Sequence, residues 1–561
     1  MLKSSGAMAF ATFISRLLGL AREMVYSSFM GVGWVTDAFV LAFQIPNLFR
    51  RLLGEGALTA AFIPIFKEKE KTHGEAEMWR SANAVISGLI VVTSIIVALG
   101  MFGISLALPA AKHVRPQPVV LQINNPTVEN TALYQSYIQS RTNLDYDGQF
   151  KTKNEIKWER TVLMLELLRE MFPYLLLVCV AATFIGILNA RGHFFIPAMG
   201  ATMLNVVMIA SVFWLAPHMG KILPQKIFGL AIGVLLAGVA QAAFQLPTLY
   251  RDGFRYHWIS PWHDETVHRV IYKMIPGVIG VAAFQINVTL VQLLGFWIGT
   301  GIVSSFNFAV RLMELPQGMF GISLATYLLP ALSGLAAEKK YPEFRATLRH
   351  GVGTLIFLNL IASILLVILA EPIVRLLFER GKFGPLATHE TVFALECLAP
   401  GLVAFSTVNI LARAFYALGD TKTPMKISIF CLALNLALAV AMVKPLRQGG
   451  LGIANTVTSL CNVGLLLFWL RKKMGRLEMK TLQKTLLPLA LAVIAAGIVA
   501  WFGWQMWESK IGHATIALKI GAVFVPATGA GLVYGIIALA FKVPEAKEML
   551  EFGLAKFRRV K

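Results

Sequence analysis

Charged side chains interrupt three apolar stretches of this chain, each long enough to cross a bilayer. Arg16, Arg22 and Glu23 fall within about 5–28, Asp37, Asn47, Arg50, Arg51 and Glu55 within 35–66, and Arg311 and Glu314 within 301–334. A charge at the centre of a lone spanning helix costs roughly 2.5–3.5 kcal/mol on the insertion scale, so such residues normally face a cavity or one another. Asn47, Arg50 and Arg51 stand at i, i+3 and i+4 and share one helix face. Arg51 and Glu55, and Arg311 and Glu314, have the spacing of local ion pairs. Structural salt bridges, or arginines snorkelling from span ends, are the competing reading for any one of them. Arginines outnumber acids in these stretches, however, and planar guanidinium groups with several donors suit phosphate oxygens. The chemistry this favours is capture of an anion, above all a phosphate ester.

Motifs for other chemistries are missing. No Gly-rich phosphate loop with its Lys-Ser/Thr occurs, which argues against ATP hydrolysis. The spans hold no His and acid cluster with metal-ligand or catalytic spacing, so no metal, cofactor or enzymatic activity is expected. Cys179, Cys397, Cys431 and Cys461 sit in apolar runs and read as small core residues. Asn435, Asn455, Thr456 and Asn462 suit interhelical hydrogen bonding better than cation coordination, having no acid beside them.

The elements that must hold these groups are membrane helices. Of the 561 residues 57% are hydrophobic and 14% charged, with a mean hydropathy of +0.67. Both percentages lie outside the range of soluble domains. Apolar segments of bilayer length number about fourteen. Their limits are near 5–28, 35–66, 81–110, 161–190, 194–216, 226–247, 267–297, 301–334, 351–378, 391–417, 423–443, 449–470, 481–504 and 516–541. None alternates like a barrel strand, so the expected class is an all-α integral membrane protein. The first stretch carries Arg16 and Arg22 and no small-residue cleavage site, and is expected to be a retained span.

The net charge of +21 follows the loops. Basic residues concentrate on the segments that are cytoplasmic if both termini lie inside, the pattern of the positive-inside rule. That distribution excludes a nucleic-acid binder and turns the tail residues Lys556, Arg558, Arg559 and Lys561 toward anionic membrane lipid. One polar stretch, about 112–160, lies on the outer side. Pro118–Ile123 has strand character there, and Asp147-Gly148 could turn a hairpin. It reads as a decoration, with cell-wall synthesis proteins as further candidate partners.

The chain also repeats itself. Gly31-Val-Gly-Trp-Val-Thr-Asp-Ala-Phe39 resembles Gly299-Thr-Gly-Ile-Val-Ser-Ser-Phe306, and Gly192-His-Phe-Phe-Ile-Pro197 resembles Gly419-Asp-Thr-Lys-Thr-Pro424. The first copy is longer by about the length of the polar stretch. Two six-span repeats follow, residues 1–247 with the insertion and 248–475, with an appendage of two spans and a basic tail at 476–561. Paired lobes imply alternating access with the substrate site between them. Gly54, Gly56 and Pro64, and Pro316, Gly318, Gly321 and Pro330, break the corresponding spans and permit bending.

The same residues carry a family likeness. Ser15-Arg-Leu-Leu-Gly-Leu-Ala-Arg22-Glu, Thr36-Asp-Ala-Phe, Pro46-Asn-Leu-Phe-Arg-Arg51, Gly54-Glu-Gly-Ala, Arg311-Leu-Met-Glu-Leu-Pro-Gln-Gly318 and Phe415-Tyr-Ala-Leu-Gly-Asp-Thr-Lys-Thr-Pro424 resemble the MurJ (MviN) lipid II flippases. The resemblance covers nearly the whole chain outside 112–160. It implies the multidrug/oligosaccharidyl-lipid/polysaccharide exporter fold, two six-helix lobes in a V plus two C-terminal helices forming a groove for a polyprenyl tail. It also implies transfer of lipid II, the undecaprenyl-diphosphate-linked peptidoglycan precursor, across the bacterial inner membrane. By resemblance Arg16, Arg22, Arg50 and Arg311 match required arginines, and Asp37, Asn47, Arg51, Glu55, Ser304 and Glu314 match other cavity positions. Export of another polyprenyl-linked oligosaccharide, or of drugs, is the alternative within that fold.

Overall fold

The computed structural model describes residues 2–54, 57–116, 153–475 and 480–551. Helix is the regular structure throughout, with no strand among the described residues. Pro118–Ile123 and Asp147-Gly148 lie outside them. The chain divides into two compact units, Met1–Gly301 and Ile302–Lys561.

The first unit contains α1 (Leu2–Met30), α2 (Trp34–Phe49), α3 (Ala57–His113), α4 (Lys153–Met171), α5 (Tyr174–Ala190), α6 (Phe195–Trp214), α7 (Leu223–Arg251) and α8 (Glu265–Ile298). The segment α3 folds back at Gly74, whose φ of 83° is the left-handed backbone that glycine tolerates. Phe66 and Trp79, on either side, therefore meet with ring centroids 5.8 Å apart. Phe62, Ile65, Phe66, Met78, Ala82, Val85, Leu175, Cys179, Leu249 and Phe254 join in one buried cluster that binds α3, α5 and α7. Between α4 and α5 the axis bends by 45° at Pro173, which has no N–H to continue the helix.

The second unit contains α9 (Ile302–Pro316), α10 (Ser323–Ala337), α11 (Tyr341–Ile368), α12 (Ala370–Leu377), α13 (Pro385–Leu398), α14 (Leu402–Ala417), α15 (Lys422–Met474), α16 (Lys480–Lys510) and α17 (Ile516–Ala540). The 53 residues of α15 form a hairpin: at Arg447 the backbone leaves helical geometry, and Lys473 near one end reaches Asp420 beside the other at 2.8 Å. Gly450 lets the reversal close, since a Cβ there would sit 2.3 Å from the Met442 carbonyl oxygen. The pair α16 and α17 packs on α11 through Ala492, Ala496, Ala500, Ala530 and Tyr534, whose hydroxyl donates to the Phe357 carbonyl at 2.9 Å.

Nine helical segments among the described residues have the length and composition to cross a membrane, or ten with the bent α4–α5 pair counted as one. The stretches at 5–28 and 35–66 carry the charged groups noted above. In the 267–297 region only a shorter apolar helix, Phe284–Ile298, stands out. A helical, multi-span membrane protein is what these segments make.

The repeat is visible in local structure. α2 and α9 each begin one residue after the second glycine of the repeated motif, contain a proline near the end (Pro46, Pro316) and run into a π-turn, Arg50–Gly54 or Gln317–Ile322. α6 and α15 each follow a glycine of positive φ, 89° at Gly192 and 73° at Gly419, and carry proline as their third residue.

In the second of these loops Asp420 accepts from Lys473 at 2.8 Å, from the Thr423 N–H at 3.0 Å and from the Thr423 hydroxyl at 2.9 Å. The Lys473 ammonium and these Thr423 donors hold its carboxyl down at about 2. A carboxylate lowered by folding stabilises the fold above its ordinary value and ceases to do so as pH falls through the folded one. The melting temperature of the wild type in detergent should therefore exceed that of Asp420→Asn at neutral pH. The gap should close between about pH 4 and about pH 2; a gap independent of pH would remove the carboxylate from this role.

Candidate anion-binding site

Pro46 lacks an N–H, so the α2 ladder is already broken when it reaches Arg50. The Arg50 N–H bonds to the carbonyls of Asn47 and Pro46, and the π-turn that follows widens the helix where Arg50 and Arg51 emerge. Arg50 Nε donates to Asn47 Oδ1 at 2.8 Å, so these two share a face as their spacing requires. Arg51 donates to Gln285 Oε1 of α8 at 3.3 Å. Glu55, its spacing partner, lies outside the described residues.

On α1, Arg16 is exposed. Arg22 is largely covered: it pairs with the buried Glu23 at 2.5 Å, and its guanidinium carbon stands 5.5 Å from the Tyr26 ring centroid. In the second unit Arg311 Nη1 donates to Glu314 Oε2 at 2.9 Å, as the three-residue spacing predicts, and both side chains retain solvent access. Ser304 is fully buried in the first turn of α9.

Asp37 occupies a different setting. It is fully buried in the first turn of α2, and its Oδ2 accepts from the Gly301 N–H at 2.6 Å. Arg160 of α4, 2% exposed, approaches the same oxygen at 3.9 Å and donates to the Gly299 carbonyl at 2.7 Å. Its guanidinium carbon also stands 4.3 Å from the Phe296 ring centroid, which supplies a cation–π contact.

Sequence reasoning placed Arg160 at the edge of the polar stretch and so passed over it. The signal was nonetheless present: Ile156, Arg160, Leu163, Leu167 and Met171 recur at helical spacing, and all are buried. An arginine in register with an apolar stripe needs a buried partner.

No group of three or more His, Cys, Asp or Glu able to hold a metal occurs among the described residues. Each unit presents guanidinium groups with local acid or amide partners, on a helix broken at an equivalent point. The fold defines a polytopic helical membrane protein.

Comparison with known proteins gives the particular family. The family model described as lipid II flippase MurJ matches residues 26–112 and 150–519, skipping most of the polar stretch. A MurJ relative from Vibrio cholerae is 32% identical over 469 residues, covering 83% of this chain and 82% of its own length. Among solved structures, that of the lipid II flippase MurJ in an inward closed conformation aligns with a TM-score of 0.70 at 21% identity, over 95% of this chain and 98% of that one. An inward-facing multidrug transporter of the MATE family aligns at 0.61 and 15% identity, over 83% and 95%. The chain belongs to the lipid II flippase MurJ family.

Proposed function

We propose that this protein moves lipid II from the inner to the outer leaflet of the bacterial inner membrane, without making or breaking a covalent bond. The observation that carries the reading is family membership over both halves of the chain, with the matched segments taking in the π-turn arginines and Arg311. In this reading the lipid II diphosphate is held by Arg16, Arg22 and Arg50 of the first unit and by Arg311 of the second. Asn47, Arg51, Glu55 and Glu314 tune those cations or contact the sugar–peptide head, and the buried Asp37 and Ser304 act from behind. The proposed topology has fourteen spans with both termini cytoplasmic, arranged as six-helix lobes at 1–247 and 248–475 and a two-helix appendage at 476–561 beside which the polyprenyl tail stays in lipid.

An inside-negative potential favours outward movement of an anion by roughly 2.3 kcal/mol per charge per 100 mV, so transport needs no ATP in this scheme. In cells depleted of their own lipid II flippase, expression of this chain should restore lipid II to the outer leaflet. Lack of restoration at normal membrane abundance would sink the assignment. Collapse of the membrane potential in the same cells should slow the transfer, and an unchanged rate would remove the potential from the mechanism.

A further inference from the structure

The loop between α7 and α8 exposes aromatic surface without being loose. Tyr256, Trp258 and Trp262 are 42%, 58% and 62% exposed. The loop is fastened to α3: Asn83 Nδ2 donates to the Arg255 carbonyl at 2.8 Å, the Ser87 and Tyr256 hydroxyls lie 3.2 Å apart, and the Ile259 N–H reaches Ser87 Oγ at 3.4 Å. Pro261 packs on Gly88 so closely that a Cβ there would lie 3.2 Å from it, and Phe254 is buried in the α3–α5–α7 cluster. At its far end Asp264 caps α8 by accepting from the Thr266 and Val267 N–H groups.

These fastening points set a depth. The apolar run of α3 begins near residue 81, and the fastening points Asn83, Ser87 and Gly88 fall within its first turns. A loop held there lies at the boundary between acyl chains and head groups, the level at which Trp and Tyr are enriched in membrane proteins. Two exposed arginines and one exposed acid, Glu265, flank the aromatics. Arg251 and Arg255 are exposed, and neither pairs with a carboxylate among the described residues; Arg255 donates instead to the carbonyls of Tyr250 and Phe254. His257 and His263 are exposed beside them, while the nearby acids Glu77 and Asp264 are engaged by Arg80, and Asp252 by Arg191 and His193. Outward-facing Ile271, Tyr272 and Ile275 continue the apolar surface along α8.

We propose that residues 254–263 form an interfacial lip that seats on the head groups of anionic phospholipids in the adjacent leaflet. Trp258 and Trp262 enter the head-group layer, and Arg251 and Arg255 supply the preference for negative charge. The lip is independent of what the protein transports. It fixes the level of the kinked α3 segment in the bilayer.

The test uses the full chain in nanodiscs of phosphatidylcholine, alone or mixed with phosphatidylglycerol. A bimane probe on Trp258→Cys, read against the parent chain, should emit at shorter wavelength than one on Lys340→Cys in an exposed loop. It should be quenched by a lipid carrying its quencher at the head group and spared by aqueous iodide. Retention of phosphatidylglycerol over phosphatidylcholine, read by native mass spectrometry, should fall about fivefold for Arg251→Gln and again for Arg255→Gln, the factor equivalent to about 1 kcal/mol per basic side chain at an anionic surface. Arg251→Gln, which breaks no backbone contact of the loop, guards against a folding effect. A bimane at 258 as open to iodide as one at 340 would place the lip in water, as a protein-docking loop would be, and overturn the proposal. Unchanged phosphatidylglycerol retention in Arg251→Gln would overturn it equally.

Discussion

Arg16→Ala and Arg311→Ala each lower the rate at which lipid II appears in the outer leaflet by roughly 10-fold to 150-fold, the kinetic equivalent of losing one charge-assisted hydrogen bond of about 1.5–3 kcal/mol. The choice of these two arginines rests on their surroundings. Arg16 is exposed, and the Arg311–Glu314 pair keeps 38% and 47% of its side-chain surface accessible. Exposed ion pairs contribute little to folding, so truncation should leave membrane abundance and melting temperature close to wild type. A loss of transport in either variant then reports on the substrate. Lysine at either position keeps the charge but not the planar fork, and should recover only part of the rate. Glu314→Gln, which releases Arg311 from its partner, should be milder than Arg311→Ala. Normal outer-leaflet lipid II with both alanine variants at wild-type abundance would sink the proposed diphosphate contact.

The legible part of the fold was what depends on near neighbours in the chain. Of the residues read as breaks, Gly54 closes one π-turn, Gly318 and Gly321 lie within the other, and Pro316 immediately precedes it. The spacings of Asn47 with Arg50 and of Arg311 with Glu314 became contacts of 2.8 and 2.9 Å. The two glycine loops proved alike down to the position of the following proline. Partners distant in sequence stayed hidden. Arg51 donates to Gln285, 234 residues further on, a partner that no spacing announces. Asp37 was matched to a cavity position by family resemblance, with no partner legible in its spacing. Its partner Arg160 lies beyond the polar stretch, and the backbone N–H of Gly301 that it accepts has no sequence signature at all. Periodicity reports which face of a helix is buried, but the element that covers it is set by packing.

Arg160→Met is the substitution expected to damage the protein most. An arginine buried to 2% beside a fully buried carboxylate has given up its hydration, and it is retained because Asp37, the Gly299 carbonyl and the Phe296 ring replace that hydration together. Removal of one member of a buried ion pair costs about 3–5 kcal/mol, since the other charge is left in a low-dielectric site. Methionine fills similar volume without charge, so the loss would come from electrostatics more than from a cavity. Asp37→Asn alone should destabilise for the mirror reason: it leaves Arg160 facing a neutral amide. The double variant, with neither charge, should then be more stable than the sum of the two single losses predicts. The measurement is thermal unfolding of the purified chain in detergent for all four members of the cycle. Strictly additive losses would show that the two side chains act independently, and would reduce Arg160 to its bonds with Gly299 and Phe296. A coupling of the expected size would mean something more specific. The end of the first unit, where Gly299 and Gly301 lead into α9, would then be held by a charge pair drawn from α2 and α4, and transport would depend on Arg160 although no substrate atom need touch it.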